Sequence, residues 1–303
     1  MRKLNVDFAK KISRFEFIMR RKFLIKSAFY RRIFRGRGFE FETFRKYEPD
    51  DDASLIDWKA SARANMPLVK QYVEEKNLKI FLIIDVGENM IFGSGNQLKN
   101  EVAAEISACL SHLIITSGDD IGYALFSKDI VKRISFFPGT KQYYEFEREL
   151  ENTKNYGGKS DMKKALRTLM PQLKNASAIF IISDFLNTDK ECMKLLKELM
   201  LKHEVIGIMV KDIVDEKLPD IKNEVVVEDV YSGEQVLINP SLIKDEYRRF
   251  SLIEKRKIED SFKKAGSDIL TIYTNKDFII PLSEFLRQRV KLKGHLALRK
   301  NYV

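Results

Sequence analysis

The sequence predicts an α/β fold: a mostly parallel sheet with helices on both faces, preceded by an N-terminal extension. Three observations predict it. The apolar runs at residues 79–85, 177–183 and 203–210 are continuous rather than alternating, as in strands buried on both faces. Segments of helical periodicity separate them, and strand–helix alternation is the pattern of a parallel sheet wound by right-handed crossovers. No Pro- or Gly-rich linker interrupts residues 79–303, so a single body should hold them.

The chain opens on charge. Residues 1–37 carry thirteen Lys or Arg against two acids, Asp7 and Glu16, a net +11, while the whole chain is +10. Within the arm spanning 1–35, Leu4, Phe8, Ile12, Phe15 and Met19 recur at three- and four-residue steps. That spacing predicts a basic amphipathic helix. Such a helix lies on an anionic membrane, grips a protein partner, or packs its stripe on the body with its lysines in water. All three readings stay open. Charge confined to residues 1–37, on a body that is otherwise near neutral, argues against nucleic acid as the partner.

Residues 36–78 precede the sheet and are expected to pack on it. Pro49 and three aspartates break the chain. Ser54, at capping-box spacing from Asp57, predicts a short helix that carries Asp57, the sole tryptophan Trp58, and Arg63. Residues 67–75 then alternate like a strand. Asp51, Asp52 and Asp57 with Arg45 and Arg63 read as an ion-paired clasp around Trp58. Acid–base chemistry is the alternative, but no nucleophile–base pair accompanies them.

From residue 79 the elements follow in turn. Residues 79–85 form a strand and 97–116 a long helix. Strands 119–127 and 130–137 pair with each other. Helices follow at 141–152 and 161–173, a strand at 177–183, a helix at 190–202 and a strand at 203–210. Two apolar segments around Tyr231–Glu234 read as a hairpin within 223–240. A charged helix at 245–265, a strand at 267–274 and a helix at 278–290 complete the domain of residues 79–303.

Ligands of such sheets sit at the carboxyl ends of the strands. Asp85 ends the strand 79–85, with Gly87, Glu88 and Asn89 just behind it, and Asp184 follows the strand 177–183. Ser160 opens the helix at 161 and is placed to cap it. Asp85, Asn89, Ser160 and Asp184 are all oxygen donors, the kind that Mg²⁺ or Mn²⁺ prefers. The alternative is a vestigial tip whose acids pair with nearby Lys or Arg or with backbone N–H groups. Paired carboxylates also support a metal-dependent hydrolase or nuclease using Asp85 and Asp184, although no general base is placed beside them.

Other classes find little support. Cys109 and Cys192 lie far apart, and His112, His203 and His295 have no ligand spacing. Two lone thiols suit a reducing cytoplasm. No apolar run reaches the length of a membrane span, and the N-terminus lacks the apolar core of a secretory signal. A cytoplasmic location is therefore expected. No phosphate-binding loop of the G-x-x-x-x-G-K-[ST] type is present, since the stretch near Gly93 is too short.

Two resemblances rest on these residues. Asp85, Gly87 and Asn89 fall on the D-x-S-x-S motif of von Willebrand factor type A domains, which are Rossmann-like. Ser160 falls on their second-loop threonine and Asp184 on their third-loop aspartate. These are the positions of a metal-ion-dependent adhesion site, and this sequence departs from it at two of five, since Gly87 and Asn89 replace the serines. Residues 36–90 resemble the bacterial family known as domain of unknown function 58. The shared elements are Gly36-Arg37-Gly38-Phe39-Glu40-Phe41, then Arg45, Tyr47, Pro49, Asp51 and Asp52, then Ile56-Asp57-Trp58, then Ala62-Arg63. Asp50 stands where that family carries glycine. The resemblance implies a non-enzymatic adaptor that works with a MoxR-type AAA+ ATPase and a client protein. Arg45, Tyr47, Asp52, Asp57, Trp58 and Arg63 would be its partner-binding or structural signature. A structural protein with a vestigial site and a membrane-docking arm is the other reading.

Overall fold

The computed structural model of the chain describes residues 4–23, 43–48, 56–71, 77–137, 140–186, 188–229 and 233–299. Two compact units emerge, residues 37–77 and the remainder. The larger begins with α1 (Phe8–Phe23). The smaller holds β1 (Thr43–Lys46), α2 (Trp58–Ala64) and β2 (Leu68–Gln71). The larger resumes with β3 (Lys79–Asp85), α3 (Lys99–Thr116), β4 (Asp120–Phe126), β5 (Ile130–Phe137), α4 (Thr140–Glu151) and α5 (Met162–Leu169). It continues through β6 (Ala178–Ser183), α6 (Lys190–Lys202), β7 (Glu204–Lys211), β8 (Val225–Glu228), β9 (Gln235–Ile238), α7 (Pro240–Lys264), β10 (Asp268–Tyr273) and α8 (Ile279–Arg299).

Six strands form the main sheet in the order β10-β7-β6-β3-β4-β5. All neighbours are parallel except β5, which runs antiparallel to β4 at the edge. The layering is the mostly parallel, Rossmann-like α/β architecture that the alternating pattern predicts. Counting only these six, the order is 3-2-1-4-5-6, and the direction of winding reverses between β3 and β6. Such a reversal leaves a crevice at the strands' carboxyl ends.

Strand alternation divides the interior in two. Ile80, Leu82 and Ile84 of β3 join a core with α1, α3, α4 and α8. Phe81 and Ile83 join the opposite core, with α5, α6 and α7. The central helix α3 is buried almost throughout, from Lys99 to Ser111.

The arm expected over 1–35 is, over α1, part of this body. Phe8, Ile12, Phe15 and Met19 are buried in the core of α3 and α8. Polar contacts fix the approach: the backbone N–H groups of Asn5 and Asp7 donate to the buried carboxylates of Glu101 and Glu105, and Lys11 pairs with Glu105 at 3.3 Å. With its stripe occupied, α1 turns a mainly polar and charged face to solvent, with Phe17 exposed among those side chains.

Three local expectations are corrected. Helix α7 starts at Pro240 rather than 245, because Asn239 accepts from the Ser241 N–H and Pro240 suits the first helical position. Helix α8 runs to Arg299 rather than 290. Asp161, not Ser160, caps α5 by accepting from the Lys164 N–H. The hairpin β8–β9 forms as an antiparallel pair of its own.

In the smaller unit β1 pairs antiparallel with β2. Asp57 is the N-cap of α2, accepting from the Lys59 and Ala60 N–H groups, so the helix begins after Asp57 rather than at Ser54. Ser54 itself lies outside the described residues. The Ser61 hydroxyl donates to the Asp57 carbonyl and accepts from the Leu68 N–H, which stitches helix to strand.

Candidate functional site

Asp85 and Asp184 end adjacent strands at the winding reversal, and both are fully buried. The parallel register pairs Ile84 with Ile182, so one step further Asp85 lies beside Ser183, and Asp184 extends one residue beyond. Alternation then sends the two acids to opposite faces. Asp85 and Ser183 face the α5 side, and Asp184 faces the α3 side.

Their partners differ accordingly. The Ser160 hydroxyl lies 3.0 Å from both oxygens of Asp85, and the Ser183 hydroxyl donates to Oδ2 at 2.8 Å. The Gly87 N–H donates to Oδ1 at 3.0 Å. Asp184 instead receives the Lys99 ammonium at 2.8 Å on Oδ2 and the Leu186 N–H at 2.9 Å on Oδ1. The Asn89 amide nitrogen bridges the two acids, 3.2 Å from Asp85 Oδ2 and 2.9 Å from Asp184 Oδ1. Lys99 also reaches Asp215 at 3.3 Å and lies 5.6 Å from the Phe92 ring centre.

The electrostatics follow from those partners. Burial, then the neighbouring Asp184 charge, pushes the Asp85 carboxyl up to about 6, against the pull of its hydrogen-bond donors. Burial also acts to raise Asp184, but Lys99 and Lys211 outweigh it and hold that carboxyl below its ordinary value. Burial works against the Lys99 charge, yet Asp184 and Asp215 outweigh it and raise the ammonium above its usual value.

Behind this cluster a second one ties the loops together. Asp212, just past β7, accepts from the Ser94 N–H at 3.0 Å and the Ser94 hydroxyl at 2.6 Å, and from the Thr274 hydroxyl past β10. Phe185 sits in the left-handed region at φ 55°, although it is not glycine. Its N–H donates to the Ser183 hydroxyl and its ring meets Phe262 edge-on at 5.7 Å, contacts that hold this strained backbone beside the acids.

The arrangement does not fit a hard divalent cation in an oxygen shell. Each carboxylate oxygen already accepts from a protein donor. Gly87 contributes no side chain, and a Cβ there would come within 2.5 Å of Asn89 Oδ1 and 2.7 Å of Ser160 Cβ. Asn89 turns its nitrogen, not its oxygen, toward the acids. Among the described residues, no group of three or more His, Cys, Asp or Glu is placed to hold a metal ion. The thiols are no better suited to chemistry: burial pushes Cys109 up, and Cys192 to about 12.

Thus Asp85, Asn89, Ser160 and Asp184, nominated from the sequence, come together on one network. Lys99 and Ser183 were missed. Ser183 was findable as the polar residue that closes the apolar run of β6, next to Asp184, and Lys99 from its place in the first turn of a helix, where the dipole disfavours a cation. The signature residues of the smaller unit behave otherwise. The Tyr47 N–H donates to the Pro67 carbonyl, Asp57 caps α2, and Arg63 sits in the last turn of α2. Trp58 is 72% exposed rather than an anchor. Asp51, Asp52 and the Arg45 side chain lie outside the described residues, so no clasp among them is drawn.

Residues 43–257 match the model of the family described as "Protein of unknown function DUF58". The chain belongs to this family. An uncharacterised protein of Mycobacterium tuberculosis is 27% identical over 266 residues, covering 86% of this chain and 83% of that protein. An uncharacterised protein of Mycobacterium avium is 29% identical over 146 residues, covering 48% of this chain and 83% of its own. Among solved structures, the conserved hypothetical protein BatB from Bacteroides thetaiotaomicron aligns with a TM-score of 0.44 at 11% identity, covering 71% of this chain and all of that one. The SpRpn10 VWA domain aligns with a TM-score of 0.40 at 12% identity, covering 70% and 95%. Among the described residues no helix is long and apolar enough to cross a membrane.

Proposed function

We propose that this protein is a non-enzymatic adaptor that binds a protein partner through the rim at the carboxyl ends of its sheet. The observation that carries the proposal is the apolar ring around the buried acids. Ile91 and Phe92 past β3, Leu186 past β6 and Ile213 past β7 are all exposed. Single exposed apolar residues are ordinary. Here they sit on loops that the Lys99–Asp184, Lys99–Asp215 and Ser94–Asp212 contacts bind to one another, which supports a preformed interaction patch. Asp85 and Asp184 are engaged by donors on both oxygens, which leaves them poorly placed as general bases and disfavours the hydrolase or nuclease reading.

The family resemblance supplies the partner class, a MoxR-type AAA+ ATPase acting on a client. Binding of the full chain to the purified MoxR-type ATPase of the same organism tests this. Phe92→Asp and Leu186→Asp are expected to weaken the complex at least ~10-fold, as buried apolar anchors do, whereas Val226→Asp on the β8–β9 hairpin leaves it unchanged. A complex that forms as tightly with both rim variants overturns the reading.

A further inference from the structure

The two departures from the adhesion-type motif, Gly87 and Asn89, fit each other physically. The space that a side chain at position 87 would need is taken by the Asn89 amide oxygen and by Ser160, and with its oxygen seated there Asn89 lays its amide nitrogen, a hydrogen-bond donor, between the acids. Donors alone leave two buried carboxylates with no countercharge, an arrangement that costs heavily unless a cation is close. The cation is Lys99. Its side chain is only 3% exposed and lies 2.8 Å from Asp184 and 3.3 Å from Asp215. It enters from the first turn of α3, against the helix dipole, and the face of Phe92 lies over it. A lysine in that position has no helical reason to be there. The carboxylates supply one.

We propose that Lys99 is the resident cation of this site: its ammonium does the charge balancing that a divalent ion would otherwise do, and the rim is built without metal. The proposal stands on the buried geometry and not on the adaptor reading, so each can fail alone.

Thermal melting and Mn²⁺ titration by electron paramagnetic resonance, both on the full chain, test it. The wild-type melting temperature is expected to be the same in EDTA, Mg²⁺ or Mn²⁺, with no bound Mn²⁺ signal. Lys99→Met is expected to melt about 10 °C lower, since it strands Asp184 in the interior. The double variant Lys99→Met/Asp184→Asn, which removes both charges, is expected to recover most of that loss. Should Lys99→Met fail to fold, recovery in the double variant and the wild-type titration decide the matter. Mn²⁺ bound by the wild type and lost in Asp85→Asn would overturn the proposal. So would a Lys99→Met melting temperature equal to the wild type's.

Discussion

The two sides of the sheet treat the same chemical group differently. On the α5 side Asp85 meets neutral donors, the hydroxyls of Ser160 and Ser183 and the Gly87 N–H. On the α3 side Asp184 meets an ammonium. Both acids are equally buried, so burial does not separate them. The sign of the nearest charge does: another carboxylate for Asp85, a lysine for Asp184. The difference teaches that hydrogen bonds alone do not make a buried carboxylate comfortable, however many it accepts. A countercharge does.

Three measurements sharpen or break this contrast. The largest effect is expected on the α3 side. Asp184→Ala leaves Lys99 buried with only the more distant, partly exposed Asp215 as a partner, and should lower unfolding stability by about 3–5 kcal/mol in urea titration. A loss below ~1 kcal/mol would mean that Lys99 simply turns to solvent.

On the α5 side the signature is a pH dependence. The folded Asp85 carboxyl titrates at about 6, above its ordinary 3.8. Between those values the folded state keeps a proton that the unfolded state has released, so Asp85 lowers stability progressively as pH rises from ~4 to ~6. The wild type should lose on the order of 2–3 kcal/mol across that window relative to Asp85→Asn. Asp184 acts in the opposite sense and at lower pH: its depressed titration gives stability that is present above the ordinary carboxylate value and is lost only as pH falls through its folded one. Parallel pH profiles for wild type and Asp85→Asn would contradict the assignment.

The smallest effect is expected from Ser160→Ala. It removes one hydroxyl donor from Asp85 and should cost ~1 kcal/mol. It should also move the Asp85 transition upward, which carboxyl chemical shifts in NMR would follow.

Much of this was legible in the chain. The continuous apolar runs placed β3, β6 and β7 within a residue or two, and the residues after those runs nominated both acids. Ser160 is legible as a hydroxyl that joins the acids, which it does at Asp85, but not as a bystander to the cap: a serine and an aspartate in sequence compete for one cap, and Asp161 takes it. The charged periodicity of residues 245–265 masks the stronger start signal five residues earlier, the Asn239 cap followed by Pro240. The spacing of acids and arginines around Trp58 does not say which way a side chain on a two-turn helix points, and Trp58 is exposed.

The sequence by itself determined the elements, their order, the buried character of the strands and the acids at their tips, because apolar runs, caps and turns act over a few residues. Only the tertiary structure decided which face each acid takes a partner from. That choice depends on β3 lying beside β6, on a register spanning about a hundred residues of chain, and on α3 delivering Lys99 to one side alone. No local pattern encodes a meeting between groups 85 residues apart; the packing of the helices against the sheet does.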